Sequence, residues 1–356
     1  MRRTLVALGL LIPCSVLAQA AGMRLQAPTA RFAAEFSDLT SLRELKDGRV
    51  LLFDRKENQL SVVDFRTGAR TAVSRSGQGP GEFQFIATLL PLSGDSTLAA
   101  DLRRWLILDG DKVVTTLPPD TPAIQAIGLW PLGADRLGRV LGQKFAQRGS
   151  DSTRLLLIDR ASGRTDTVAL LHQGARRATI RPISTADGRV GMSVARIPLN
   201  VREAPALFPD GWVAIARLDP YRVDWRSPDG KWTSGAPLPF RAIRMNDEER
   251  KAYAARNIWS RNATNWPEVL PPFDTPTTLF ATPEGMLVVR RLPSAAQPDT
   301  RYDIVDRTGS LKRQLMLPAN QHILGFGVAS VYVIETDDDG IQRLQRHSWA
   351  ETRLRG

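Results

Sequence analysis

The feature that most constrains this 356-residue chain is a four-part phrase: strand, Asp-Gly-type turn, strand, loop, strand, second turn, strand. It recurs about every 40 residues, the spacing expected of a β-propeller. The first turn of the phrase reads Asp47-Gly48, Gly94-Asp95, Ala134-Asp135, Asp210-Gly211 and Glu284-Gly285. The second occupies residues 64–68, Asp109-Gly110, residues 159–163, Asp229-Gly230 and residues 306–309. Asp, Asn and Gly tolerate left-handed backbone, so paired turns of this kind join neighbouring antiparallel strands. The pattern predicts an all-β fold, a six-bladed β-propeller of four-stranded antiparallel blades.

The blades are expected at residues 39–74, 86–117, 123–171, 206–240, 277–317 and 323–349. The last unit supplies three good strands, and the alternating stretch at 29–36 supplies a fourth, closing the ring and removing two exposed edges. Two stretches break the period. Residues 178–199 carry their own turn at Asp187-Gly188 and are expected as a hairpin insert. Residues 246–268 open with Asn246 as a capping residue and Glu249 at the capping-box position, so a helical insert is expected before the fifth blade. Between the first two blades, Ser76-Gly77-Gln78-Gly79-Pro80-Gly81-Glu82-Phe83 cannot be the interior of a helix or strand. It is expected to turn the chain from the outer edge of one sheet to the inner edge of the next.

Gly77-Gln78-Gly79-Pro80-Gly81-Glu82-Phe83, followed by a short strand, Gly94-Asp95, another strand and Asp101, resembles the NHL repeat. The wider chain is similar to the exported six-bladed propeller proteins of bacteria in that superfamily, which also holds gluconolactonase-like hydrolases and propeller lyases. The resemblance implies the fold and, because those relatives do different things, leaves the activity open.

Met1-Arg2-Arg3, the apolar run from Leu5 to Leu17 and Ala18-Gln19-Ala20 read as a secretory signal peptide spanning residues 1–20. The expectation is a periplasmic or secreted protein with no transmembrane anchor. Pro13 stands directly before Cys14, the only cysteine, which argues against lipidation there; once the signal leaves, the chain has no thiol. A formal charge of +11 favours an anionic partner: a small molecule, an acidic glycan or an envelope protein. Export argues against nucleic acid, and a monomer is expected.

If the blades are placed correctly, the loops between second and third strands share one face and are basic in five blades of six. They carry Arg55 and Lys56, Arg103 and Arg104, Lys144 and Arg148, Arg217 and Arg222, and Arg290, Arg291 and Arg301; the sixth carries Glu335 and Asp337 to Asp339. Guanidiniums so arranged can grip carboxylate, sulfate or phosphate bidentately. The expected ligand-binding residues are Arg55, Arg104, Arg217, Tyr221, Arg222 and Arg290; beside Pro220, Tyr221 is placed either to stack on a ligand ring or to cap the core from a rigid turn. Trp259 and Trp266 are expected to anchor the helical insert.

Enzymatic readings have less behind them. A metal-dependent lactonase of the gluconolactonase type is the alternative function, and Glu82, Glu35 and Asn58 are its candidate ligands. His172, His322 and His347 are scattered, and no nucleophile elbow or phosphate loop occurs. No catalytic residue and no cofactor is expected, and Asn262-Ala263-Thr264, although it matches a glycosylation pattern, carries no weight in an exported bacterial protein.

Overall fold

The structure, a computed structural model, describes residues 22–101, 103–128, 131–144, 152–172, 180–184, 190–194, 198–257, 260–261, 263, 265–274 and 278–349. The signal segment, Arg148, the Asp187-Gly188 turn, Trp259, Asn262 and Thr264 lie outside the described residues.

Six antiparallel sheets form six blades. Blade one is Leu39–Glu44, Val50–Asp54, Gln59–Val63 and Arg70–Ser74; blade two is Ile86–Pro91, Ser96–Asp101, Trp105–Asp109 and Lys112–Leu117. Blade three is Gly133–Ala134, Arg139–Lys144, Ser152–Asp159 and Thr165–His172; blade four is Ala204–Leu207, Val213–Leu218, Tyr221–Arg226 and Trp232–Ser234. Blade five is Leu279–Ala281, Leu287–Arg290, Thr300–Val305 and Leu311–Leu317. Blade six takes Gln321–Phe326, Ser330–Thr336 and Gln342–Ser348 from the end of the chain and its outer strand, Ala30–Phe36, from the beginning. Each blade's first strand touches the first strand of the next, and Gln321–Phe326 touches Leu39–Glu44, so the inner circle is complete.

The hydrophobic pattern explains the ring. In Val50–Asp54 every residue is buried, because alternate side chains enter opposite interblade gaps. Val50 and Leu52 join Tyr332, Ile334 and Leu344 between blades six and one. Leu51 and Phe53 join Phe83, Ile86 and Leu106 between blades one and two. The other four gaps are filled in the same way. Outer strands have one wet face, and Arg70–Ser74 contains no fully buried residue.

Three details differ from the sequence reading. Residues 122–127, expected to begin blade three, form the helix Pro122–Ile127, started by a proline in its first turn and packing Ala123, Ile124 and Ile127 into the gap between blades two and three. A fifth strand, Gly22–Arg24, adds in parallel to the outer edge of blade five. Glu249 does not complete a reciprocal capping box. Asn246 accepts from Glu249 N at 2.9 Å, but the Glu249 carboxylate reaches away to Ala295 N, also at 2.9 Å.

The Gly-rich turn hydrogen-bonds across its own base, Gly77 N donating to Phe83 O at 2.8 Å, and Phe83 is buried against Phe53. Gly81 requires its glycine, with φ +74, and a Cβ at Gly77 would displace the Glu82 carboxylate. In the stretch between blades three and four, Ile180–Ser184 and Val190–Val194 pair antiparallel. Between blades four and five stands the helix Asp247–Arg256. Among the described residues no helix is long and apolar enough to cross a membrane.

Candidate functional site

Strands of a blade alternate in direction, so the loops from second to third strands lie on the same side of the ring as the connections between blades. That connection face carries the Gly-rich turn, both inserts and the helix Pro122–Ile127. It also carries the basic loops, and the structure shows what each arginine there touches.

Arg55 forks onto Asp38, Nε to Oδ2 at 2.7 Å and the second nitrogen at 2.6 Å. Arg104 reaches Gly79 O at 3.3 Å and the buried Asp101 at 3.7 Å. Arg217 is held twice, by Asp224 at 2.8 Å and Glu203 at 2.7 Å, and Arg222 donates to the other oxygen of Asp224 at 2.9 Å. Burial alone would raise the Asp224 carboxyl, but the hydrogen bonds from Arg222 and Arg217 outweigh it and hold the group below its ordinary range. Arg217 and Arg222 thus meet on one carboxylate between blades three and four.

Tyr221 follows the cis Asp219-Pro220 bond and faces the opposite gap, between blades four and five. Its ring is 3% exposed, packed on Phe273, and its hydroxyl donates to Asp303 at 2.9 Å. Burial, reinforced by Asp303, pushes this phenol well above its usual range. Asp303 is saturated: Arg291 reaches the same oxygen at 2.7 Å and Gln314 the other at 2.7 Å. Arg291 in turn lies over the rings of Tyr221 and Phe240, at 4.7 and 5.2 Å.

Among the described residues of the basic loops, Arg103 of blade two is exposed without an ion pair, and Arg290 and Arg301 of blade five lack one while partly buried. Arg301 has no ion pair within 4 Å among the described residues, and its Nε is buried with no partner. Burial and the neighbouring Arg291 both lower its pKa, the mark of a charge short of a counter-ion. Arg290, on the other side of the sheet, likewise has no ion pair within 4 Å among the described residues. It sits beside the Tyr302 hydroxyl and its charge reaches Asp274 and His322. Asp274, raised by burial, accepts from Tyr253 of the insert helix at 3.3 Å; burial of that phenol, with Asp274 beside it, pushes it to about 12. The same helix is tied to the basic loop of blade five, Arg256 to Pro293 O and Glu249 to Ala295 N, both at 2.9 Å. On its outer side a groove of about 640 Å3 is lined by Arg250, Lys251, Arg261 and Trp266.

A relation among these residues escaped the sequence reading. Arg222-Val223-Asp224, Arg301-Tyr302-Asp303 and Arg343-Leu344-Gln345 occupy one position in the third strands of blades four, five and six. Their arginines face Arg217 and Glu335 of the second strands and Arg291, just past the end of one. The repeat is visible once the blades are aligned on their turns. The candidate metal ligands are engaged elsewhere: Glu82 with Gly79 N and Arg75, Glu35 with Arg343, and the Asn58 amide with Ser76 and Gln84 O. Among the described residues no group of three His, Cys, Asp or Glu side chains is placed to hold a metal ion.

No family model matches the chain, and no curated protein matches it in sequence. Among solved structures it is similar to a putative exported protein of Bacteroides fragilis (11% identity, 93% of this chain and 95% of that one, TM-score 0.47). It is also similar to the calcium-binding protein regucalcin of Agrobacterium tumefaciens (13% identity, 92% and 95% covered, TM-score 0.41). A third similar structure is virginiamycin B lyase of Staphylococcus aureus (12% identity, 87% and 95% covered, TM-score 0.41).

Proposed function

We propose that this propeller is an extracytoplasmic binding module that takes an acidic glycan on its connection face, with Arg290 and Arg301 of blade five as the anion-gripping residues. The observation that carries this reading is the contrast within the ring. Arg55, Arg104, Arg217 and Arg222 spend their charge in ion pairs with carboxylates of the same face, whereas Arg290 and Arg301 make no ion pair within 4 Å among the described residues. Charge held in partly buried positions is screened less by salt and attracts an anion more strongly than charge on an open surface. The groove with Arg250, Lys251, Arg261 and Trp266 extends the basic surface along the insert helix, as a polymer requires. Tyr221 serves this site by orienting Asp303 and, through it, Arg291. Export rests on the N-terminal signal read in the sequence.

Calorimetric titration with polygalacturonate, against neutral dextran as control, tests the reading. The variant Arg290→Gln/Arg301→Gln should lose affinity about tenfold or more and flatten the salt dependence. Arg55→Gln/Arg104→Gln should change affinity far less. A blade-five variant that keeps both affinity and salt dependence removes the proposal.

A further inference from the structure

Between the outer strands of blades five and six, beside the connection from Leu317 to Gln321, a cleft of about 230 Å3 opens. Three pieces of chain build it. The strand Gly22–Arg24 lies parallel on Leu311–Leu317, with Arg24 opposite Met316. The chain then crosses the gap and becomes the outer strand of blade six, where Arg31 pairs with Gln345. The crossing is pinned from below by His347, whose Nδ1 meets Gln26 O at 2.8 Å. Met316 and Leu317 give the cleft an apolar floor, Gln345 and His347 a polar wall, and Arg24 and Arg31 a charged rim.

Two features of this cleft point to the chemistry of a ligand. The first is charge. Arg24 has no ion pair within 4 Å among the described residues, and Arg31 meets Glu335 at 3.5 Å, longer than a hydrogen bond. Two guanidiniums therefore face one distant carboxylate. The second is a shortage of protons. Gln345, 1% exposed, donates its amide to Glu335, and its carbonyl oxygen faces His347 Nε2 at 3.2 Å. His347, 5% exposed, then has an oxygen opposite each ring nitrogen. A neutral imidazole has one N–H to offer two acceptors, and burial keeps this ring below its ordinary range. Turning the Gln345 amide over moves the conflict to Glu335 without curing it. A hydroxyl brought in from the cleft could donate to this pair of acceptors.

We propose that this cleft is a binding site for a small hydroxylated carboxylate of the sugar-acid class. Its carboxylate is held by Arg24 and Arg31, a hydroxyl donates into the His347–Gln345 wall, and its C–H face rests on Met316 and Leu317. The volume falls below the ~300 Å3 at which drug-sized sites begin, which suits a single sugar acid. The site stands whether or not the connection face takes a glycan, because the two share no arginine. Occupancy would join the N-terminal crossing to both blades and raise the unfolding temperature by mass action.

D-Galacturonate is the probe, with galactose as the uncharged control and acetate as the unhydroxylated one. The purified protein should bind galacturonate with a saturable heat and melt at higher temperature in its presence, while galactose and acetate do neither. Arg24→Gln/Arg31→Gln, both rim residues at the surface, should weaken galacturonate about tenfold or more while the ligand-free melt stays in place. Arg290→Gln/Arg301→Gln should leave that binding intact, which separates this cleft from the blade-five arginines. The proposal is overturned if galacturonate gives no saturable heat, if the rim variant binds as the parent does, or if the blade-five variant is the one that loses binding.

Discussion

At the scale of single residues, burial decides what each charge is worth. Asp303 is fully buried and satisfies Arg291, Tyr221 and Gln314 at once. Asp303→Ala strands a buried guanidinium and should cost about 3–5 kcal/mol in chemical denaturation. Arg55→Gln breaks an ion pair whose arginine is 55% exposed and should stay within about 1 kcal/mol. Equal losses would refute the ordering. His322 gives the same logic a pH axis. Burial, helped by the charge of Arg290, pushes it down to about 4, against about 6.5 in an unfolded chain. Below about pH 6.5 the unfolded state takes a proton that the native state refuses, so stability falls until about pH 4. His322→Gln should reduce the stability difference between pH 7 and pH 4.5 measured in urea. His347 shifts in the same direction, so part of the slope will persist. A variant with the full slope would mean that His322 is charged in the native protein. The sequence leaves Tyr221 open between stacking on a ligand and capping the core, and its burial against Phe273 decides for the core; the burial of Asp303 and His322 has no signal of its own in the sequence.

At the scale of elements, what was legible followed from repetition and what was not followed from brevity. Strands of five or more residues announce themselves as apolar runs bounded by Asp-Gly turns, and blades one, two and six stand close to where the turns put them. The inner strand of blade three is only Gly133–Ala134, too short to show a period of two, and the apolar spacing of Ala123, Ile124 and Ile127 before it belongs to a helix. Gly22–Arg24 is likewise three residues whose partner lies almost three hundred positions away. The helix Asp247–Arg256 was readable from Asn246, and Asn246→Ala should cost about 1 kcal/mol through the lost cap. The partner of Glu249 was not, because Ala295 belongs to the next blade. Glu249→Gln should preserve the melt better than Glu249→Ala, since the amide oxygen still accepts from Ala295. Equal melts for the two variants would show that this hydrogen bond does not hold the insert in place.

At the scale of the whole molecule, stability depends on a seam between the two ends of the chain. Phe32 and Phe36 of Ala30–Phe36 fill the gap between blades six and one together with Leu39, Val50 and Tyr332. The strand reaches that gap only by pairing with Gln342–Ser348. Removing it exposes the outer edge of blade six and empties one interblade layer, and each Phe lost from a packed core costs about 3–5 kcal/mol. Those two side chains alone approach the ~5–15 kcal/mol that holds a typical domain folded. A chain beginning after Phe36 should therefore lose its cooperative thermal transition, whereas one beginning at Thr29 gives up only the fifth strand of blade five and the crossing. That shorter truncation should keep a single transition at a lower temperature. If removal through Phe36 left the melt where it was, the six blades would be holding together through their neighbours alone, and the ring would not need its seam.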